Sequence, residues 1–130
     1  MKTVITFGTF DMFHYGHVRI LERARSMGDR LVVGLSTDEF NLTKKNRAPI
    51  FSFKHRKAIL ESLRCVDEVF PEESLELKSH YIKEHSGDIL VMGDDWKGRF
   101  DEVGVPVYYL ERTPDLSTTD YINNILDYYK

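Results

Sequence analysis

Cysteine is all but missing. The chain of 130 residues has one, Cys65, so no disulfide can close within it, and it reads as a buried thiol. Proline is scarce, at four residues, and tryptophan occurs once. No hydrophobic run approaches the roughly 20 residues a membrane-spanning helix needs, so no membrane partner is expected. Positive charge is not in surplus: 18 Lys and Arg against 21 Asp and Glu leave a net charge of -3. That balance gives no support to a nucleic-acid surface. Any phosphate ligand has to be held by local positive groups. The G-x-G-x-x-G and G-x-x-x-x-G-K-[ST] phosphate loops are absent, as are clustered Cys/His metal spacings. Linkers, repeats and low-complexity segments are absent too. What is there is an ordinary globular composition, 42% hydrophobic and 30% charged, in a length that suits one domain over residues 1–130. The first residues read as a strand rather than a leader, which makes the cytoplasm the expected location.

The chain is organised around residues 8–17, Gly8-Thr9-Phe10-Asp11-Met12-Phe13-His14-Tyr15-Gly16-His17. An apolar run ending at Phe7 precedes this stretch and reads as a strand buried on both faces. After it, Val18, Ile20, Leu21, Ala24 and Met27 recur at helical spacing, and Gly28-Asp29 ends that helix. Leu31 to Leu35 is a second strand, which completes a βαβ unit in about thirty residues. A glycine-bearing turn between strand and helix leaves backbone N–H groups free at a helix N-terminus, an arrangement that favours an anion. Gly16 lets the backbone come close to a ligand, between two imidazoles.

Further along, Ser36-Thr37-Asp38-Glu39 caps a short helix reaching Asn41, and the basic run Lys44-Lys45-Asn46-Arg47 reads as a loop able to close over phosphates. A helix is expected from Phe53 to about Arg64, capped by Ser52. His55 and Arg56 sit in its first turn, where a cation opposes the helix dipole; that points to an acidic group or a phosphate as partner. Val66 to Phe70 reads as a strand stopped by Pro71, and Asp67 is placed to pair with Arg64. Glu72 to His85 reads as a helix, with Lys78 on its polar face. Ile89 to Gly93 is the most apolar strand. Asp94-Asp95 at its end suits magnesium, a ribose hydroxyl or a base amine, although turn chemistry alone also accounts for two aspartates there. Trp96 can stack on a base or cover the core. A last strand, Val105 to Leu110, has an edge proline near its start. Arg112-Thr113-Pro114-Asp115-Leu116-Ser117-Thr118-Thr119 leads to a helix from Asp120 to Leu126, a second phosphate cradle with a forked cationic donor.

The form G-T-F-D-x-x-H-x-G-H at the end of a first strand resembles the cytidylyltransferases of the H-x-G-H nucleotidyltransferase superfamily. The likeness runs from end to end and includes H-R at 55–56, G-D-D-W at 93–96, and R-T with S-T-T between 112 and 119. It is similar above all to the glycerol-3-phosphate cytidylyltransferases, although the last motif lacks the glycine usual there. The resemblance implies an α/β, Rossmann-like three-layer α/β/α fold with a five-stranded parallel sheet. It implies CTP and glycerol 3-phosphate as substrates, Mg2+ with the CTP, a homodimer, and a product for teichoic acid or another surface polymer. Catalytic roles would fall to His14, His17, Lys44 and Arg112. Nucleotide contacts would come from Gly8, Thr9, Phe10, Asp11, Tyr15, Gly16, Asp94, Trp96, Thr113, Pro114, Asp115, Leu116, Ser117 and Thr118. Acceptor contacts would come from Lys44, Arg56, Arg64 and Lys78, and magnesium would sit near Asp11 or Asp94. The family usually has a further lysine where Asn46 stands, and Lys45 or Arg47 is expected to replace it. Alternatives are transfer from ATP to a flavin or pantetheine phosphate, cytidylyl transfer to another alcohol phosphate, and a non-catalytic nucleotide-binding module.

Overall fold

The computed structural model describes residues 1–111 and 117–130. Its elements are β1 (Thr3–Gly8), α1 (Tyr15–Arg25), β2 (Arg30–Ser36), α2 (Asp38–Lys45), α3 (Phe53–Glu61), β3 (Glu68–Glu72), α4 (Lys78–Glu84), β4 (Ile89–Gly93), β5 (Val107–Leu110) and α5 (Thr118–Tyr128). Among the described residues the strands form one parallel sheet in the order β3-β2-β1-β4-β5. The chain steps from β1 to β2 to β3 in one direction and then returns to lay β4 on the other side of β1. The order therefore reverses between β1 and β4. In open parallel sheets the crevice at such a reversal, at the strands' C-terminal ends, is where ligands bind.

The strands are apolar on both faces because both faces are covered. On one side Val4, Leu31, Val33, Leu35, Val69, Ile89 and Val91 pack with Leu21 and Ala24 of α1 and Leu60 of α3. On the other, Ile5, Phe7, Val32, Phe70, Leu90 and Met92 pack with Tyr81 and Ile82 of α4 and with Phe100. This is the expected three-layer α/β/α arrangement. Three aspartates fasten the sheet's far end. Asp29 accepts from Lys2 N–H, Asp67 from Leu31 N–H and Asp88 from Thr3 N–H, at 2.7, 2.8 and 2.7 Å. Each stands just before a strand and ties down its neighbour, which leaves the opposite rim for the site.

Several element bounds differ from the sequence reading. The helix expected to end at Asn41 runs to Lys45, so Lys44 and Lys45 form its last turn, where cations complement the dipole. Asn46 caps it at φ 58°, a left-handed conformation that asparagine tolerates. Pro71 does not stop β3, which continues to Glu72 with Pro71 opposite Leu35. β3 is an edge strand, and there the missing N–H is no loss. Helix α3 ends at Glu61, and the Ser62 hydroxyl turns back to Ile59 O at 2.6 Å. The expected Glu72–His85 helix is a short 3-10 turn, Leu75–Leu77, followed by α4. The last strand starts at Val107, and α5 spans Thr118–Tyr128 rather than 120–126. Cys65 is only partly buried.

Gly34 lies inside β2, where glycine is otherwise unfavourable. A Cβ built there would stand 2.3 Å from Phe7 Cδ1 and 2.9 Å from Phe70 Cζ. The two rings meet edge to face with centroids 5.8 Å apart, directly over this residue. Gly34→Ala is therefore expected to lower stability by about 1–3 kcal/mol through overpacking. Chemical denaturation reads this, and an unchanged midpoint would mean the rings have room to move.

Candidate active site

The turn after β1 is held in an unusual backbone. Phe10 and Met12 have φ of 51° and 48°, left-handed values costing about 1–3 kcal/mol each for such side chains. Surrounding contacts impose them. The Phe10 ring folds over Gly8, where a Cβ would stand 2.8 Å from Phe10 Cε2, and meets the His17 ring at 5.3 Å. The Asp11 carboxylate accepts from Met12 N–H at 3.0 Å, Ile50 N–H at 2.7 Å and Phe51 N–H at 2.8 Å. Thr9 Oγ1 donates to Asn41 Oδ1 at 2.8 Å, and Asn41 Nδ2 donates to Arg47 O at 3.0 Å. The first loop and residues 47–51 are thus tied together.

Helix α1 is capped by imidazoles instead of a hydroxyl and a carboxylate. His14 Nδ1 accepts from Gly16 N–H at 3.1 Å, and His17 Nδ1 accepts from His14 N–H at 3.2 Å. The rings stack with centroids 3.8 Å apart. A backbone amide can only donate, so both Nδ1 atoms must be unprotonated. Each ring is then neutral and carries its proton on Nε2. His14 Nε2 donates to Thr118 Oγ1 at 3.0 Å, and that hydroxyl reaches Asp11 O at 3.5 Å. Burial, then His14 and then Lys45, lower the His17 pKa from 6.5 to about 3. His17 is accordingly a fixed neutral donor at physiological pH.

His17 and the first loop line a cavity of about 340 Å³ at the β1/β4 reversal, and His14 adjoins it through its stack on His17 and its bond to Thr118. Its walls include residues 6–11, His17, Met92, Gly93, Asp95 and Trp96, together with Asn41, Lys45, Arg47, Thr118 and Thr119. The N-termini of α1 and α5 both face it, and helix N-termini favour anions. Ser117 caps α5, accepting from Asp120 N–H at 3.2 Å. Lys45 and Arg47 both reach the cavity, so two cations flank the position where Asn46 stands. Trp96 lies on the cavity wall under the Arg99 guanidinium, 5.4 Å from the ring centroid.

A second polar cluster sits beside it, at the ends of β2 and β3. Lys44 Nζ donates to Ser36 Oγ at 2.9 Å, and Lys78 Nζ lies 2.6 Å from Glu72 Oε2. Burial lowers the Lys44 pKa to about 8; Glu72 opposes that shift, while Lys45, Lys78 and Arg56 add to it. Lys78 is lowered by burial and raised by Glu72. It also lies 4.3 Å from the Phe7 ring centroid, so the two clusters adjoin through Phe7.

Not every expected site residue is brought here. Arg56 is buried, and its partner is an acidic group, Asp38, at 2.7 Å. It also donates to Phe51 O, Thr9 O and Ser36 O, so its guanidinium holds the loops together and is not presented to an acceptor. Arg64 is exposed beyond the C-terminal end of α3, next to the strand-start end of β3, and Asp67 pairs with Arg25 at 3.5 Å instead of with Arg64. Both carboxylate oxygens of Asp11 are taken by backbone N–H groups, which leaves it unsuited to magnesium. Asp94 is exposed. Among the described residues no three His, Cys, Asp or Glu side chains gather into a metal site. Arg112, Thr113, Pro114, Asp115 and Leu116 lie outside the described residues. The sequence reading places Ser36, Asn41 and Glu72 only at element boundaries and gives them no site role. The available signal was a polar residue on the inward side of an otherwise apolar element.

A parallel α/β sheet with neutral imidazoles and two helix N-termini at its reversal offers a place suited to a phosphate-bearing ligand. The chain belongs to the cytidylyltransferase-like family, whose model matches residues 5–124. The glycerol-3-phosphate cytidylyltransferase of Bacillus subtilis (strain 168) is 54% identical over 121 residues, 92% of this chain and 93% of that one. The enzyme of the same name from Staphylococcus aureus (strain NCTC 8325 / PS 47) is 48% identical over 121 residues, 92% and 91% of the two chains. Among solved structures, the lipopolysaccharide core biosynthesis protein of Thermoplasma volcanium GSS1 superimposes with a TM-score of 0.71 at 26% identity, covering 87% of this chain and 97% of its own.

The neutral state of His17 has a measurable consequence. Its folded pKa lies below the unfolded value, so between about pH 6.5 and 3 the unfolded chain binds a proton that the folded chain does not. Its contribution to stability is full above pH 6.5 and is lost as the pH falls through that window. Ring 15N shifts should show His17 as the Nε2–H tautomer from pH 8 down to about 4. Titration near pH 6.5 would refute the buried-donor assignment.

Proposed function

We propose that this chain is a glycerol-3-phosphate cytidylyltransferase, converting CTP and sn-glycerol 3-phosphate to CDP-glycerol and diphosphate. The observation that carries it is the neutral Nε2–H donor of His17 on a cavity at the sheet's reversal, with the His14 ring stacked against it at the N-terminus of α1. The names and identities of the Bacillus and Staphylococcus relatives support the choice of substrates. The acceptor phosphate already carries a nucleophilic oxygen. It attacks the α-phosphorus of CTP, the P–O bond to the β-phosphate breaks, and diphosphate leaves. No serine or cysteine nucleophile and no strong base is required. The protein's work is to bring two polyanions together and offset charge on the leaving group.

In this reading His17 donates to the α- and β-phosphates, and His14 exchanges its Thr118 partner for a phosphate oxygen. Ser117 and Thr118 add hydroxyl and amide donors, and the family resemblance gives Arg112 and Thr113 phosphate contacts as well. Lys45 and Arg47 hold the outer phosphates, while Lys44 and Lys78 hold the acceptor phosphate. Gly8, Thr9 and Phe10 shape the floor, and Trp96 stands beside the base. Phosphate oxygens and water would satisfy magnesium, a hard ion that would offset triphosphate charge, and exposed Asp94 would be the carboxylate to assist them. A cytoplasmic homodimer feeding a surface polymer such as teichoic acid fits the family.

Diphosphate release from CTP and ATP, each with glycerol 3-phosphate, other alcohol phosphates, FMN and phosphopantetheine, tests the assignment. Fastest turnover is expected with CTP and glycerol 3-phosphate, and about a hundredfold or greater loss in His14→Ala and His17→Ala. Faster turnover with ATP or another acceptor would replace the substrate assignment. Nucleotide binding without any release would make the chain a binding module, and near-normal turnover in both variants would remove the catalytic role.

A further inference from the structure

Glu72 is the last residue of β3, opposite Ser36 in the parallel register. It is 1% exposed, although it ends an edge strand. Its Oε2 lies 2.6 Å from Lys78 Nζ, while its Oε1 accepts from Ser36 Oγ at 3.4 Å. Ser36 Oγ in turn accepts from Lys44 Nζ at 2.9 Å. Proton directions run one way along this chain, from Lys44 to Ser36 to Glu72. The Lys78 ammonium is held between the Phe7 and Phe100 rings, 4.3 and 4.7 Å from their centroids. Lys78 thus pairs directly with the buried carboxylate, while half-buried Lys44 reaches it only through Ser36, so two ammonium groups depend on one negative charge. The positive charge left over favours an anionic partner, and a phosphate ester is one.

We propose that Glu72 is a positioning residue for the acceptor half of the site, holding Lys44 and Lys78 side by side as a charged pair for the acceptor phosphate. The proposal rests on the reading above that these two lysines contact that phosphate. Without the carboxylate, two like charges would face each other in a poorly hydrated place and one would give up its proton. The groups facing Lys44 are Glu72 on β3, Lys78 on α4, Arg56 on α3 and Lys45 on its own helix. Of these only Glu72 favours the ammonium. Glu72 touches neither reacting atom and acts through the lysines.

The test is the pH dependence of kcat/KM for glycerol 3-phosphate between pH 7 and 9.5, with CTP saturating. The wild type is expected to lose activity as pH rises through about 8, where Lys44 deprotonates. In Glu72→Gln, which keeps the side chain's shape, that limb moves down by about one pH unit, making kcat/KM about tenfold lower at pH 8.5. The KM for CTP stays within about twofold. Glu72→Asp keeps the charge, so its limb stays where the wild type has it even if its rate is lower. A uniform loss in Glu72→Gln with an unmoved limb would overturn the proposal and leave Glu72 a packing residue. Should Glu72→Gln fail to fold, Lys78→Gln carries the same question: Glu72 is then left to Lys44 alone and the limb moves up, and an unmoved limb again overturns it. Lys44→Gln separates the two readings. If the acceptor's KM and the limb are unchanged in it, the acceptor-site assignment fails, whatever Glu72 does.

Discussion

One buried guanidinium holds the working rim together. Arg56 is 1% exposed and bonds Thr9 O after β1, Ser36 O at the end of β2, Phe51 O ahead of α3, and the Asp38 carboxylate at the start of α2. The first loop, the β2–α2 junction and the segment ahead of α3 are fixed by one planar group, whose five N–H donors suit several acceptors in a plane. Truncating Arg56 would leave the Thr9, Ser36 and Phe51 carbonyls without this donor, at about 1–3 kcal/mol for each that stays buried. Carbonyls at the ends of parallel strands have no ladder partner, so a rim rich in loops needs an internal donor of this kind.

The same solution recurs on a smaller scale. Asp11 satisfies three backbone N–H groups, Asn41 joins Thr9 to Arg47, and each histidine of α1 accepts one amide. None of the buried side-chain nitrogens and oxygens among the described residues lacks a partner. Side chains that loop chemistry would place in a site therefore divide into two groups. Some hold backbone and are spent. Others, such as His17 Nε2, keep a donor facing the cavity because a backbone amide occupies their other nitrogen. The rare left-handed φ values at Phe10 and Met12 are tolerated on these terms, since the ties leave the turn no other course.

Strand and helix order, the doubly covered sheet and the two-histidine turn were legible, because apolar periodicity and glycine placement report local structure directly. The sequence pointed to an acidic group or a phosphate as partner for Arg56, and the acidic group is Asp38. What could not be read were side chains whose surroundings are set by distant segments. Glu72 follows a proline that locally signals a strand's end, yet the edge position of β3 removes the need for that N–H. Arg64 and Asp67 are neighbours in sequence, but the turn after α3 leaves Arg64 outward and gives Asp67 to Arg25 and Leu31. Lys44 looked like part of a mobile loop because the helix stop is Asn46, whose left-handed cap gives a weaker signal than glycine.

The distribution of charge follows from the chemistry required. Apart from Lys45 and Arg47, the donors lining the cavity are neutral, among them the His17 imidazole, threonine hydroxyls and the amides of two helix N-termini. A permanent charge buried there would need a counter-charge whenever the nucleotide is absent, and that counter-ion would have to leave before binding. Neutral, preorganised dipoles avoid this and still gain strength where water is excluded. Cations are kept where they can be solvated or paired. Lys45 and Arg47 stand exposed at the edge, and Lys44 and Lys78 share the carboxylate of Glu72. The two halves differ as the two proposed ligands do. On the proposed reaction, a triphosphate calls for directed donors, whereas a lone phosphate ester has to be drawn in and held by charge.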